Sequence, residues 1–235
     1  MRALAPAALA LLAAACASPS GGLSGSDGDA SFGGLRATWE VPRRHFSDGK
    51  PPGQQVLLEV DASATRGDFD QALGVGDSLT LEGTTFPGPG AVQARFDVQQ
   101  VTVDGRLRLR SDVGLGLDAI GGLGFTRLDL QVASFAASET VDQQGFGPVL
   151  GTGLFFELPP RLRLYAELTW QAALVGGGDV ADVQVFETGL ELRFTEALGL
   201  LFAWRDLTYQ EERGGAESDL DLGASGPLLI LTLRL

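Results

Sequence analysis

The sequence predicts an all-β protein, an antiparallel up-and-down transmembrane β-barrel of about ten strands, with eight as the alternative. Three observations carry this. First, Arg161 to Leu174 alternates without a fault. Leu162, Leu164, Ala166, Leu168, Trp170, Ala172 and Leu174 share one parity, and Arg163, Tyr165, Glu167, Thr169 and Gln171 share the other. A strand sends successive side chains to opposite faces, so this stretch has an apolar and a polar side. It is long enough to cross a bilayer, where a tilted strand needs about 9–11 residues. Second, short connections (Ser111-Asp112, Pro159-Pro160, Thr195–Ala197) alternate with longer ones at 134–145, 175–180 and 210–217. Outer-membrane barrels have short turns at one end and long loops at the other. Third, the polar faces carry charges of both signs deep within long strands: Asp104, Arg106, Arg108, Asp118, Glu157, Arg163, Glu167, Glu187 and Glu191. On a lipid face an Arg would cost about 2–4 kcal/mol at the midplane, whereas inside a closed ring it can pair.

The remaining elements follow in order. Phe32 to Arg43 alternates, with Leu35, Ala37, Trp39 and Val41 on one face. Arg44 to Gly53 is a loop by its turn residues. Gln54 to Ala62 is a strand, and Ser63 to Asp77 has no clear pattern. Ser78 to Phe86 is a weaker strand, and whether it spans decides between ten strands and eight. Asp104-Gly105 is a hairpin signal. Alternation nevertheless runs through it, so Ala91 to Arg110 is one strand turning at Ser111-Asp112. Val113 to Ala133 returns, and a parity slip near Thr126 predicts a bulge. After a polar loop at Ser134–Gly145 come strands at Gly147–Leu158, Arg161–Leu174, Ala181–Phe194 and Leu198–Tyr209. The last strand ends as PLLILTLRL, with a second irregularity expected at Gly226-Pro227. An even strand number would put both ends of the barrel on one side. Eight to ten strands leave an interior that side chains can fill, here as a salt-bridged plug with no open pore.

The chain starts with Arg2 and a thirteen-residue apolar run, Ala3 to Ala15, too short for a spanning helix and typical of a secretory signal. The run closes in Leu11-Leu12-Ala13-Ala14-Ala15-Cys16, which resembles the lipobox of bacterial lipoproteins, with Ala13 where Leu is usual. The resemblance implies a signal peptide at residues 1–15 and acylation of Cys16. Ala17 after the Cys resembles lipoproteins sent on to the outer membrane. Residues 16–31 then form the lipidated Cys and a Gly/Ser/Asp tether, and 32–235 the barrel.

Over residues 32–235 the pattern resembles the small outer-membrane β-barrel superfamily of Gram-negative bacteria. The final strand is similar to that family's assembly signal, though it ends in Leu235 where Phe is typical, and Ile230 stands where Gly is frequent. The resemblance implies outer-membrane lipid and lipopolysaccharide as surroundings and the barrel-assembly machinery as a partner. His45, Ser47 and Glu59 resemble the His-x-Ser and Glu arrangement of outer-membrane lipid A deacylases, with Asp48 in place of Asn. In such a triad Ser47 would attack an acyl carbonyl, His45 would take its proton and Glu59 would orient the imidazole. The bland alternative is a loop histidine beside a turn serine, at the outer end of the first strand, with Glu59 a lumen carboxylate.

A formal charge of −13 argues against binding a phosphate backbone. One Cys and one His exclude an intramolecular disulfide and a Cys/His metal cluster. The Asp-x-Asp pairs at 27–29 and 219–221 lack the spacing of a calcium loop, and no helix follows the Gly-x-Gly runs, so neither a metal nor a nucleotide cofactor is expected. The leading expectation is a non-enzymatic outer-membrane lipoprotein barrel with a structural or surface-interaction role. A lipid A deacylase-like hydrolase and a narrow, porin-like transport or ligand-binding barrel are the alternatives.

Overall fold

Long alternating segments pair edge to edge until the sheet meets itself. The computed structural model describes residues 23–41, 54–158, 161–176, 179–212 and 219–235. The elements are β1 (Leu23–Asp29), β2 (Ser31–Glu40), β3 (Gln54–Leu73), β4 (Ser78–Leu81), β5 (Thr84–Pro87), β6 (Gly90–Arg110), β7 (Leu115–Ala133), β8 (Ser138–Leu158), β9 (Leu162–Leu174), β10 (Val180–Arg193), β11 (Leu198–Glu211) and β12 (Leu220–Arg234). From β2 through β3 and then β6 to β12, each strand pairs antiparallel with the next. β2 also pairs with β12, and this pairing closes the ring.

Among the described residues the ring has nine strand positions, where the sequence led us to expect ten or eight. Two features account for the difference. Ser78–Pro87 is a separate two-stranded hairpin, β4–β5, and not a ring strand. Its two-residue turn, Glu82-Gly83, has positive φ at both positions (48° and 79°), the conformation that matches the twist of tight hairpins. In addition, β1 and β2 lie end to end along one edge of β12 and share a position, and both run parallel to it. The expectation that both ends of the barrel lie on one side fails for the same reason: β2 descends beside β12 from the same end. Leu23–Asp29, within the expected tether, is the extended segment that pairs with Leu220–Ser225.

One end of the ring carries the turns Ser111–Gly114 and Phe194–Ala197 together with Leu235, and we call it the turn end. The opposite end carries β4–β5 and the tight Ser134–Ala137 turn, and we call it the hairpin end. The strands are longer than the sequence pattern suggested. β3 continues to Leu73 and β8 starts at Ser138, so the expected polar loop at Ser134–Gly145 is mostly strand.

The reason is an inversion of polarity partway along the strands. Nearer the turn end the outward residues are apolar and the inward residues mostly polar, with Leu57, Ile120, Leu201 and Ile230 as inward apolar residues among them. Nearer the hairpin end this reverses. On β7, Leu117, Leu123 and Phe125 are exposed while Asp118 and Thr126 are buried. Two residues on, Leu128, Leu130 and Val132 are buried and Gln131 faces out. β6 switches between Val98 and Val101, β8 at Gly145–Phe146, β11 at Trp204–Arg205 and β12 around Pro227. The pairing register through Thr126 and through Gly226-Pro227 is continuous. The two expected irregularities are therefore inversions of side-chain polarity, and the backbone alternates unbroken.

Toward the hairpin end the inward residues form an apolar core. Phe96, Val98, Leu128, Leu130, Val183, Leu207 and Leu222 are buried in it, and the hairpin adds Leu79, Leu81 and Phe86. The other face of the hairpin presents Thr80 and Thr85. The Thr84 hydroxyl donates to the Glu139 carboxylate and ties the hairpin to β8. Close strand approach is set partly by glycine: a Cβ on Gly122 would lie 2.3 Å from the Val103 carbonyl oxygen.

Candidate functional site

Below the apolar core, the interior of the ring is a set of ion pairs. Alternation alone places them, because β2, β3 and β6 to β12 each send every second residue inward. All nine charges noted in the sequence point inward and are paired. Arg36, Asp61, Arg110, Arg193, Arg205 and Arg234 join them. Asp61, Arg205 and Arg234 went unrecognised because they sit where local hydropathy gives little contrast between the two faces.

Among the described residues the ion pairs fall into two sets with no pair joining them. The inner set adjoins the apolar core. Arg36 Nε lies 3.1 Å from Glu59 and 2.9 Å from Asp61, and its Nη2 lies 3.3 Å from Glu187. Arg106 reaches Glu59 at 2.6 Å, Asp104 at 3.0 Å and Glu167 at 2.5 Å. Arg205 pairs with Glu187 and donates to Ser63 Oγ at 2.7 Å, and the Tyr165 hydroxyl donates to Glu187 at 3.1 Å. Three arginines thus face five carboxylates.

The outer set lies toward the turn end. Arg108 grips Asp118 through two bonds of 2.8 and 2.7 Å. Arg163 reaches Asp118 at 3.2 Å and Glu191 at 3.7 Å, Arg110 and Arg193 hold Glu157 at 2.8 and 3.1 Å, and Arg234 lies 3.1 Å from Glu191. Here five arginines face three carboxylates. Phe155 is buried between Arg108 and Arg163, whose guanidinium carbons lie 4.5 and 4.8 Å from the ring centroid. The two imbalances, −2 in the inner set and +2 in the outer, cancel over the ring interior.

Of the sequence candidates for catalysis, Glu59 is mid-strand on β3, 4% exposed, and accepts a hydrogen bond from Thr38 at 3.1 Å beside its two arginines. His45, Ser47 and Cys16 lie outside the described residues. The chain on either side of His45 and Ser47, at Val41 and Gln54, sits at the turn end, because Gln54 pairs with Leu109 and the Val41 N–H donates to the Val56 carbonyl. The sequence had placed this connection at the end of the longer loops. Glu59 is five residues further along β3, about 17 Å at strand spacing. Its Oε1 faces both Arg36 and Arg106 and its Oε2 accepts from Thr38, so the carboxylate serves as an ion-pair acceptor.

No protein-family model, curated protein or solved structure matches this chain. What the molecule does must therefore be argued from its own surfaces.

Two surfaces follow from the inversion. The outward band near the turn end runs through Val, Leu and Ala and is edged by aromatics. Phe125, Phe146, Trp170, Phe186 and Trp204 lie along the inversion, and Trp39, Phe156 and Phe194 lie toward the turn end. Phe146 to Phe156 spans eleven residues of chain and Phe186 to Phe194 spans nine. Above the inversion the outward faces are polar and acidic. They carry Asp68, Asp70, Asp97, Asp129, Asp142, Asp182 and Asp221 against Arg66, Arg95 and Arg127. Glu139, on this half, is held below the usual glutamate range by the Thr84 hydroxyl and its neighbouring Thr140 N–H.

Proposed function

We propose that the protein is a β-barrel of a Gram-negative outer membrane, inserted by its turn-end half, with a structural or surface-interaction role and no catalytic activity. The observation that carries this is the apolar outward band between two aromatic rows. A strand crossing a bilayer at a tilt needs about 9–11 residues, with aromatic girdles at both interfaces. In water such a band is far larger than the few hundred Å² of contiguous apolar surface a soluble monomer exposes. Facing lipid, it needs no partner protein. A closed ring also leaves no unpaired strand edge in the hydrocarbon, the condition any spanning sheet must meet.

The polar interior supports this reading without a channel. Its charges pair within the ring, and the apolar core and the β4–β5 hairpin fill the hairpin end. The cavity among the inner ion pairs is only about 40 Å³. In this account the acidic hairpin-end half stands clear of the hydrocarbon and presents the interaction surface. Membrane lipid and lipopolysaccharide surround the band, and the barrel-assembly machinery inserts it. Acylation of Cys16 belongs to the same proposal. The commitment of Glu59 to Arg36 and Arg106 weighs against a deacylase.

The test is gel mobility of the outer-membrane fraction with and without boiling. A heat-dependent shift in a protein that stays with the membrane is expected. Release as a soluble protein once Cys16 is replaced would overturn the proposal. Planar-bilayer recordings are expected to be flat, and the lipid A profile of a deletion strain unchanged.

A further inference from the structure

The outward apolar band is not equally tall around the ring. On β9 seven successive outward residues, from Leu162 to Leu174, are apolar. On β11 only four are, from Leu198 to Trp204, and the next outward residue is Asp206. On β12 the outward leucines end at Leu229, and beyond Pro227 the Ser225 hydroxyl donates to Asp206. The runs start together at the turn end. There the Arg193 N–H donates to the Arg161 carbonyl, the Phe194 N–H to the Leu198 carbonyl and the Arg234 N–H to the Ala197 carbonyl.

The register converts these runs into heights. Direct cross-strand partners lead once around the ring from Trp39 through Leu58, Leu150, Trp170 and Thr208 to Gly223. Across the β2–β12 seam, however, Trp39 lies beside Leu235, next to the Arg234–Thr38 pair. A row of partners therefore climbs twelve residues, from Leu235 to Gly223, in one circuit. At ordinary strand rise and spacing this stagger tilts the strands by about 40°, so each residue rises about 2.5 Å along the barrel axis. The band is then about 30 Å tall on β9 and about 15–20 Å tall on β11 and β12. The hydrocarbon of a bilayer is about 25–30 Å thick. Tilting the whole ring cannot make the two sides equal, because the band is a wedge.

We propose that the β11–β12 face thins the bilayer beside it and gathers lipids with short acyl chains. The inference rests on the membrane reading above and names the lipid that this side of the ring fits. A band shorter than the surrounding hydrocarbon is accommodated by local thinning, at a modest cost per Å. The aromatic boundary follows the shorter run. Trp204 closes it on β11, half exposed, and its indole N–H donates to Asp206 at 3.3 Å. A ring in the apolar band with its N–H turned to a polar group is how tryptophan sits at a membrane interface. Phe186, the cross-strand partner of Asp206, marks the same limit on β10. Lipid suits this face better than a second copy of the chain. A two-fold contact through it would set Asp206 and Asp221 of one copy near the same carboxylates of the other.

The experiment uses the full-length protein in liposomes and two single-tryptophan variants. Trp39→Phe/Trp170→Phe keeps Trp204, and Trp39→Phe/Trp204→Phe keeps Trp170. Lipids brominated at successive depths report where each indole lies. A short-chain brominated lipid, dilute in a long-chain host, reports which lipid gathers beside it. Trp204 is expected to lie shallower than Trp170, and the short-chain lipid to be enriched about twofold or more at Trp204 over Trp170. Adding Asp206→Leu/Ser225→Leu to the Trp204 variant lengthens the apolar run and should abolish the enrichment. If both indoles are quenched by lipid but Trp204 lies as deep as Trp170 with no enrichment, this proposal fails and the membrane reading stands. If neither is quenched by lipid, both fail. Shielding of Trp204 from lipid and from aqueous quencher, with a cross-linked dimer, would give the face to a second copy and overturn the proposal.

Discussion

Phe125 on β7 and Phe146 on β8 are direct cross-strand partners on the outside of the ring, and the next outward pair toward the hairpin end is Arg127 with Gln144. One step along two strands therefore takes the surface from two phenyl rings to a guanidinium and an amide. Inside the ring the same step runs the other way, from Thr126 to the buried Leu128. This boundary recurs on neighbouring strands.

A charge placed on the outward band should be costly only in lipid. Leu150 is 57% exposed and lies in the band, whereas Gln131 is exposed on the polar half of β7. Leu150→Arg is expected to destabilise the bilayer-inserted protein by about 2–4 kcal/mol, and Gln131→Arg by close to nothing. Urea titrations of both variants in liposomes check this. Equal and small effects would mean that Leu150 faces water.

Removing Arg106 takes away the arginine that pairs with Asp104 and Glu167 and leaves Glu59 with Arg36 alone. Breaking a buried ion pair from one side costs about 3–5 kcal/mol, so Arg106→Leu should sharply lower the denaturant midpoint. Arg66→Leu removes an arginine whose side chain is 77% exposed beside Asp97, and it should cost under about 1 kcal/mol. Comparable losses in the two variants would contradict the ion-paired interior.

Much of this was legible in the sequence, and the misreadings share one physical cause. Alternation tells which residues share a face but not which face is inside. In β9 the polarity is constant over thirteen residues, and the segment reads correctly. In β7, β8 and β12 the apolar parity switches partway. Reading the apolar side as always outward turned the switch into a bulge at Thr126 and at Gly226-Pro227, and into a loop over Ser134–Gly145. The strand count failed separately. Leu79, Leu81 and Phe86 look like strand residues and are, but they belong to a hairpin that packs into the core. Nine of the inward charges were legible residue by residue, while Asp61, Arg205 and Arg234 were not. Their division into two sets was not, because it depends on which strands become neighbours.

Phe96 tests the upper core. It is 1% exposed and its ring packs close to Gly67. Phe96→Ala is expected to cost about 3–5 kcal/mol, as large-to-small changes in packed cores do. The loss should appear equally in detergent and in liposomes, because this core is protein-lined. A cost confined to liposomes would place Phe96 against lipid.

The Thr84–Glu139 bond gives the hairpin a pH dependence. A carboxylate whose folded pKa is depressed contributes stability above the ordinary glutamate range, and that contribution is lost as pH falls through the folded value. Amide protection factors of Ser78–Pro87 are therefore expected to drop on acidification in the wild type. In Thr84→Val they should be lower at neutral pH and less sensitive to acid. Protection in the wild type that does not change with pH would remove this bond from the account.

The central claim is that the outward band faces hydrocarbon, and the protein carries its own probes. Trp39, Trp170 and Trp204 are its three tryptophans, and all three point outward in the band. The measurement is quenching of their fluorescence in liposomes, with brominated acyl chains in one sample and aqueous acrylamide in the other. Strong quenching by the brominated lipid and weak quenching by acrylamide is the result the account predicts. Quenching by acrylamide with no response to brominated lipid would contradict it, and the band would then have to be covered by protein instead.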